Sequence, residues 1–151
     1  MKTNIFNRLN GKDLKIAVIQ ARFNQNITDN LTKGAIKALK KTGILEQDIK
    51  IIKVPGSFEI PLACQKIAKE KVFDGIITIG AVIKGETAHF DYISQATTNG
   101  IMQVILHQNI PITFGIITTY NLDQAKARAL NDETNKGYES AMALVEVICN
   151  L

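Results

Sequence analysis

Cysteine is scarce in this chain of 151 residues, with Cys64 and Cys149 the only two. They lie far apart, and neither has a second Cys or a His at metal-ligand spacing, so the sequence offers no zinc motif. Two buried, reduced thiols are the expectation. Charge of one sign is also limited: the net charge is +4 and is spread along the chain. Lys33, Lys37, Lys40 and Lys41 follow helical spacing and read as a solvated helix face. No aromatic residues interleave with the basic ones, as single-strand binding would want, so nucleic acid is not an expected partner. A mild positive bias suits anionic small substrates instead. Residues 1–10 hold no long apolar run, so neither a signal peptide nor a membrane anchor is expected, and the chain is expected in the cytoplasm.

Two nucleotide-binding motifs are missing as well. No G-x-G-x-x-G follows the first apolar run, and no G-x-x-x-x-G-K-[ST] occurs anywhere. Covalent hydrolase chemistry is a poor fit, because Ser57 and Thr87 lack a G-x-S-x-G context. His89 and Asp91 cannot pair on one helix face, since i and i+2 point apart.

What is present fits one globular domain over residues 1–151, with 46% hydrophobic and 21% charged residues. Four short Ile- and Val-rich runs, at 15–20, 48–54, 75–83 and 112–118, read as strands buried on both faces, as in a parallel sheet. Helical patterns separate them. Residues 27–42 repeat apolar or small side chains at Ile27, Leu31, Ala35 and Ala38, and Gly43 supplies a stop. Residues 57–71 place Ile60, Ala63, Cys64 and Ile67 on one stripe, with Ser57 as N-cap. Residues 89–108 turn Phe90, Ile93, Ile101, Val104 and Ile105 inward, and Gly100 weakens that helix by about 1 kcal/mol unless close packing needs it. Asn121 with Gln124 three residues on marks a short helix, and a last helix starts near Asn135. The order β-α-β-α-β-α-β-α-α implies right-handed crossovers and a three-layer αβα sandwich on a four-stranded parallel sheet, flavodoxin-like in class. Residues 1–12 fall outside the pattern, as an arm or as a strand for a neighbouring subunit.

Ligands of such sheets bind beyond the carboxyl ends of the strands. After the first strand, Phe23 in Arg22-Phe23-Asn24 either offers a platform for a flat heterocycle or closes the core; spacing alone does not choose. After the second, Pro55-Gly56-Ser57-Phe58-Glu59-Ile60-Pro61 brings a turn and helix amides to the cleft. A helix start with a dipole-favoured Glu59 explains the segment equally simply. The stretch from Gly80 to Phe90 says most. A strand ends, Gly85 turns the chain, and a helix begins with His89 in its first turn. A helix N-terminus is a ready phosphate site, with Glu86 and Thr87 beside it. It also favours an imidazole that accepts a proton. Arg128 suits bidentate phosphate recognition or stands as a surface residue, Phe114 reads as core, and His107 reads as surface.

Taken together, Arg22-Phe23-Asn24, the 55–61 block, the 80–92 block, Phe114-Gly115 and Asn135-Lys136-Gly137 resemble the lumazine synthase family in order and spacing. Each is a weak signal alone, but five in register are specific. The resemblance implies condensation of 5-amino-6-ribitylaminouracil with 3,4-dihydroxy-2-butanone 4-phosphate to 6,7-dimethyl-8-ribityllumazine, with no metal or organic cofactor. It implies that Phe23 stacks on the pyrimidine, and that Ser57, Phe58 and Glu59 hold the ribityl chain. Ala81, Val82 and Ile83 then meet the ring edge through backbone, Glu86 and Thr87 cradle the phosphate with Arg128 as counter-charge, His89 relays protons, and Phe114 covers the ring. Lys136 ranks below these as an aid to the anionic substrate. The family further implies a homopentamer or a sixty-subunit shell, riboflavin synthase as a partner, and sites between subunits that Phe114 and Arg128 of one chain complete for its neighbour.

Two departures stand out. Leu130-Asn131-Asp132-Glu133-Thr134 replaces a turn that in the family carries Gly and Lys and helps contacts between pentamers, which puts shell assembly in question. Tyr120 stands where an acidic residue is common. A lumazine-binding or assembly protein on the same fold is the rival, because fold alone does not exclude it. His89 and Arg128 count against it, since a shell protein needs neither. A flavodoxin-like binding module would want a hydroxyl- and Gly-rich loop where Arg22-Phe23-Asn24 stands.

Overall fold

The computed structural model describes residues 9–151. Four parallel strands, β1 (Ile16–Ala21), β2 (Ile49–Val54), β3 (Gly75–Ile83) and β4 (Ile112–Thr119), lie in the order β2-β1-β3-β4. Five α-helices connect or follow them: α1 (Gln25–Lys41), α2 (Ile60–Glu70), α3 (His89–Gln108), α4 (Leu122–Ala127) and α5 (Lys136–Asn150). The expected element order, three-layer architecture and parallel sheet are those observed.

The two-residue period of a strand sorts side chains to opposite faces. Ile16 and Val18 of β1, with Ile77, Ile79 and Ala81 of β3, pack under α1 and α5. Ala17, Ile19 and Ala21, with Ile76, face α2 and α3. Each fully buried Ile or Leu in these layers contributes roughly 1.5–3 kcal/mol. Burial on both faces holds for β1, all six of whose residues are buried. It fails for β2, where only Val54 is buried. The reason is position: β2 is a sheet edge, so Lys50, Ile51 and Lys53 face outward.

Three joints fix the layers. At the end of α1 the Gly43 amide donates to the Lys40 carbonyl and the Ile44 amide to the Leu39 carbonyl. Gly43 takes φ 97°, so the expected stop is a Schellman cap that returns Ile44 to the core beside Leu39. On the other face a Cβ on Gly100 would stand 2.8 Å from Pro61 Cβ, so the glycine answers to close α2–α3 packing. On the first face, buried Asn135 caps α5 by accepting from the Gly137 and Tyr138 amides, and its side-chain amide donates to the carbonyls of Asn30 and Leu130. Beside it, a Cβ on Gly137 would collide with the Leu31 carbonyl.

Some expectations change. The expected helix at 57–71 opens as a 3₁₀ turn over Ser57–Glu59, with α2 following. Ser57 does not cap it: the Glu59 carboxylate accepts from the Gly56 amide at 2.8 Å, and the buried Thr97 hydroxyl donates to the Ser57 carbonyl at 3.2 Å. Of the two thiols, Cys64 is buried and Cys149 is exposed near the chain's end. Burial pushes the Cys64 thiol up to about 12. The expected arm falls outside the described residues up to position 8. Its remainder lies on the chain's own body, where the Gly11 amide donates to the Thr42 carbonyl and Leu9 packs on the core. Among the described residues no helix is long and apolar enough to cross a membrane.

Candidate active site

Strand order reverses between β1 and β3, so a crevice must open where their carboxyl ends part. Pairing between these strands stops at Gln20 and Ile79, while β3 runs on beside β4 to Ile83. A cleft of about 610 Å³ opens there. Phe23, Ser57, Phe58, Glu59, Ala81, Val82, Ile83, Thr87 and His89 all line it. Nine of the twelve residues expected at the site therefore share one cleft. Glu86 lies between two lining residues, Gly85 and Thr87, but is not itself in the lining.

The aromatic rings are displayed rather than packed away. Phe23 is 71% exposed and Phe58 59% exposed, so closing the core is not what Phe23 does. The loop that carries Phe23 is firm: the Arg22 and Phe23 amides continue the β1–β2 ladder onto the Val54 and Pro55 carbonyls. His89 opens α3, exposed at the rim of the cleft, and its amide donates to the Thr87 hydroxyl at 3.4 Å. Phe90 and Ile93, read from periodicity as inward, line the cleft as well, as do Pro55, Gly56 and Gly85. A helix that starts at the crevice turns its first apolar residues toward it, and the 3.6-residue period does not separate that wall from the core.

Phe114 and Arg128 are elsewhere. They line a second cavity, of about 340 Å³, with Lys136, Glu139 and Ser140 along β4 and α5. Phe114, read as core, is 41% exposed because β4 is the other sheet edge. The Arg128 guanidinium donates to the Gln124 carbonyl, and the Lys136 amide donates to the Arg128 carbonyl at 2.9 Å, so α4 and α5 hold the two cations in fixed relation. Lys136 Nζ is 2.7 Å from the Glu139 carboxylate, whose side chain is nearly covered.

The turn at residues 130–134 is tied to its own chain. Asp132 accepts from the Thr134 amide and hydroxyl, which lowers its carboxyl. Glu133 is held below the ordinary carboxylate range by a hydrogen bond from Lys41 first and by that ammonium's charge second. No group of three or more His, Cys, Asp or Glu able to hold a metal occurs among the described residues.

Residues 13–151 match the family model described as 6,7-dimethyl-8-ribityllumazine synthase. The 6,7-dimethyl-8-ribityllumazine synthase of Campylobacter lari is 48% identical over 136 residues, covering 90% of this chain and 87% of the relative. That of Desulfovibrio desulfuricans is 42% identical over 95% of this chain and 92% of its own length. That of Pediococcus pentosaceus is 44% identical over 97% and 94%. With its switch-point cleft, its parallel sheet and this likeness along nearly its whole length, the chain belongs to the 6,7-dimethyl-8-ribityllumazine synthase family, transferases of riboflavin biosynthesis.

Proposed function

We propose that catalysis runs where the aromatic cleft of one subunit meets the cationic cavity of a neighbour. The observation that carries this is the separation of the two sets within one chain. Phe23 and His89 share a cleft without a cation in its lining, whereas Arg128 and Lys136 sit in another cavity with Phe114. Neither half can do the chemistry alone. The condensation of 5-amino-6-ribitylaminouracil with 3,4-dihydroxy-2-butanone 4-phosphate needs a stacking surface, a proton carrier and an anion clamp together.

In the composite site, Phe23 and the neighbour's Phe114 take the two faces of the pyrimidine. The Ser57, Phe58 and Glu59 turn holds the ribityl chain, and the backbone of Ala81, Val82 and Ile83 meets the ring edge. Glu86 and Thr87, with the neighbour's Arg128, hold the phosphate, and Lys136 adds positive charge nearby. The amine attacks the ketone and water leaves as the imine forms. Phosphate is then eliminated, and ring closure expels a second water. His89 carries protons in these steps. Most of the rate comes from holding two substrates together, which can supply about 7–11 kcal/mol. A proton relay adds typically about 10²–10⁴-fold.

The assembly is a homopentamer or a sixty-subunit shell, which sedimentation distinguishes. We place the enzyme in the cytoplasm, where its two unpaired cysteines suit a reducing compartment. Riboflavin synthase, which would consume the product, is the partner to seek by co-sedimentation. The decisive experiment mixes two damaged proteins. Assayed with sugar phosphate well below KM, where both variants are slow, His89→Ala and Arg128→Ala subunits dissociated and reassembled together regain lumazine formation, because roughly a quarter of the interfaces in an equal random mixture combine an intact cleft with an intact cavity. A mixture no more active than its components would overturn the shared site.

A further inference from the structure

One side chain at the mouth of the cleft has an unexpected partner. Asn24 occupies the N-cap position of α1, where an Asn side chain ordinarily accepts from an amide of the first turn. Here it makes no such bond. The backbone carbonyl of Asn24 accepts from the Ile27 and Thr28 amides, while its side-chain amide crosses the crevice to donate to the Ala81 carbonyl at 2.9 Å. That carbonyl belongs to the part of β3 that β1 no longer pairs, beyond Ile79. Asn24 thus stands in for the missing strand at the first position after the ladder ends.

The consequences reach both walls of the cleft. Phe23 is the adjacent residue, so a clamp from Asn24 to Ala81 fixes the distance from the aromatic platform to the strand that faces it. Backbone groups alternate sides along a strand. The Lys84 amide donates to the Thr119 carbonyl on the β4 side, so Ala81 and Ile83 turn to the crevice side. With its carbonyl engaged by Asn24, Ala81 is a fixed point, and Ile83 is the next residue whose amide and carbonyl turn toward the crevice. The backbone adds a second constraint, because Asn24 lies in the left-handed region at φ 56° and ψ 46°, which Asn and Gly tolerate and most residues do not.

We propose that Asn24 is a positioning residue that sets the gap between the Phe23 ring and the open end of β3, and thereby the affinity for the flat heterocyclic substrate. This rests on the assignment of that strand end as the ring-binding edge. The residue touches no reacting atom, so it acts on binding of one substrate and not on chemistry.

Two substitutions separate its roles. Asn24→Gly keeps the left-handed backbone and removes the amide. Asn24→Asp keeps the shape and presents a carboxylate, which cannot donate to a carbonyl. Both are measured in the assembled enzyme with each substrate varied in turn, beside Phe23→Ala as the probe of ring binding between that platform and the strand end, and with thermal unfolding as a check on folding. Loss of one hydrogen bond of this kind predicts a rise of roughly tenfold in KM for the aminouracil. KM for the sugar phosphate and kcat should hold. Unchanged constants in both variants, or equal damage to both substrates with a lowered Tm, would overturn the proposal while leaving the edge assignment standing. If Phe23→Ala leaves KM for the aminouracil unaltered, the assignment and the proposal fall together.

Discussion

The two cavities differ in how each was built. The cleft around Phe23 and His89 lies at the centre of the sheet, where the strand order reverses, and its walls come from loops pinned to buried strands. The cavity around Phe114 and Arg128 lies at an edge, along β4 and the helices that follow it. The first offers rings, an imidazole and backbone. The second offers a ring and two cations. The walls of a central crevice come from a single chain, whereas an edge gains its facing wall only from whatever packs against it. The composite site proposed above divides the chemistry along the same line.

The sharpest way to break this division is to damage one half and watch which constant moves. His89→Ala, in the central cleft, lowers kcat by about 10²–10⁴-fold without abolishing turnover, because orientation of the two substrates survives. Complete silence in a folded, assembled variant would show that His89 does more than carry protons. Arg128→Ala, in the edge cavity, leaves kcat comparatively intact and raises KM for the sugar phosphate by roughly 10–100-fold, the loss of a charge-assisted hydrogen bond. An unaltered KM for that substrate would remove the edge cavity from the site.

Smaller effects test the packing behind each half. Gly137→Ala behind the edge cavity puts a methyl into a backbone carbonyl, and overpacking of that kind costs about 1–3 kcal/mol or more. Gly100→Ala, on the other face, meets only the Pro61 ring, and about 1 kcal/mol of helix propensity offsets the clash. Thermal unfolding should therefore rank Gly137→Ala well below Gly100→Ala, and the reverse order would show that α2 and α3 are the tighter pair. The smallest effect concerns the thiols. At neutral pH a thiol reagent modifies exposed Cys149 quickly and spares Cys64, and two fast equivalents would contradict the burial of Cys64. Because the folded state raises the Cys64 thiol from 9.0 to about 12, the stability tied to its neutral form is whole below pH 9 and is lost as pH climbs from there toward 12.

The central cleft was legible in the sequence to the degree that it follows from topology. Strand ends fall where apolar runs stop, and the crevice rule then names the loops after β1, β2 and β3. Phe90 and Ile93 were misread because a cleft wall and a core wall share one helical period. Ser57 looked like a cap because Ser before an apolar stripe usually is one, yet the turn is braced locally by Glu59 and, through a contact set by folding, by Thr97. The edge half was less legible. Phe114 sits in an apolar strand, and nothing in a single run of residues tells an edge strand from a central one. The clamp made by Asn24 has no local signal, because its partner lies 57 positions away.

The tripeptide Asn135-Lys136-Gly137 shows how a motif can mislead. Two of its three members answer to the crossing of α1 and α5: Asn135 is locked in by four hydrogen bonds, and Gly137 leaves no space for a methyl against Leu31. Only the lysine faces a cavity. A silent relative that kept this scaffold would have to keep both flanking residues whether or not it turned over substrate. The outer two letters of that triplet therefore report the helix crossing, and only the middle one bears on the cavity.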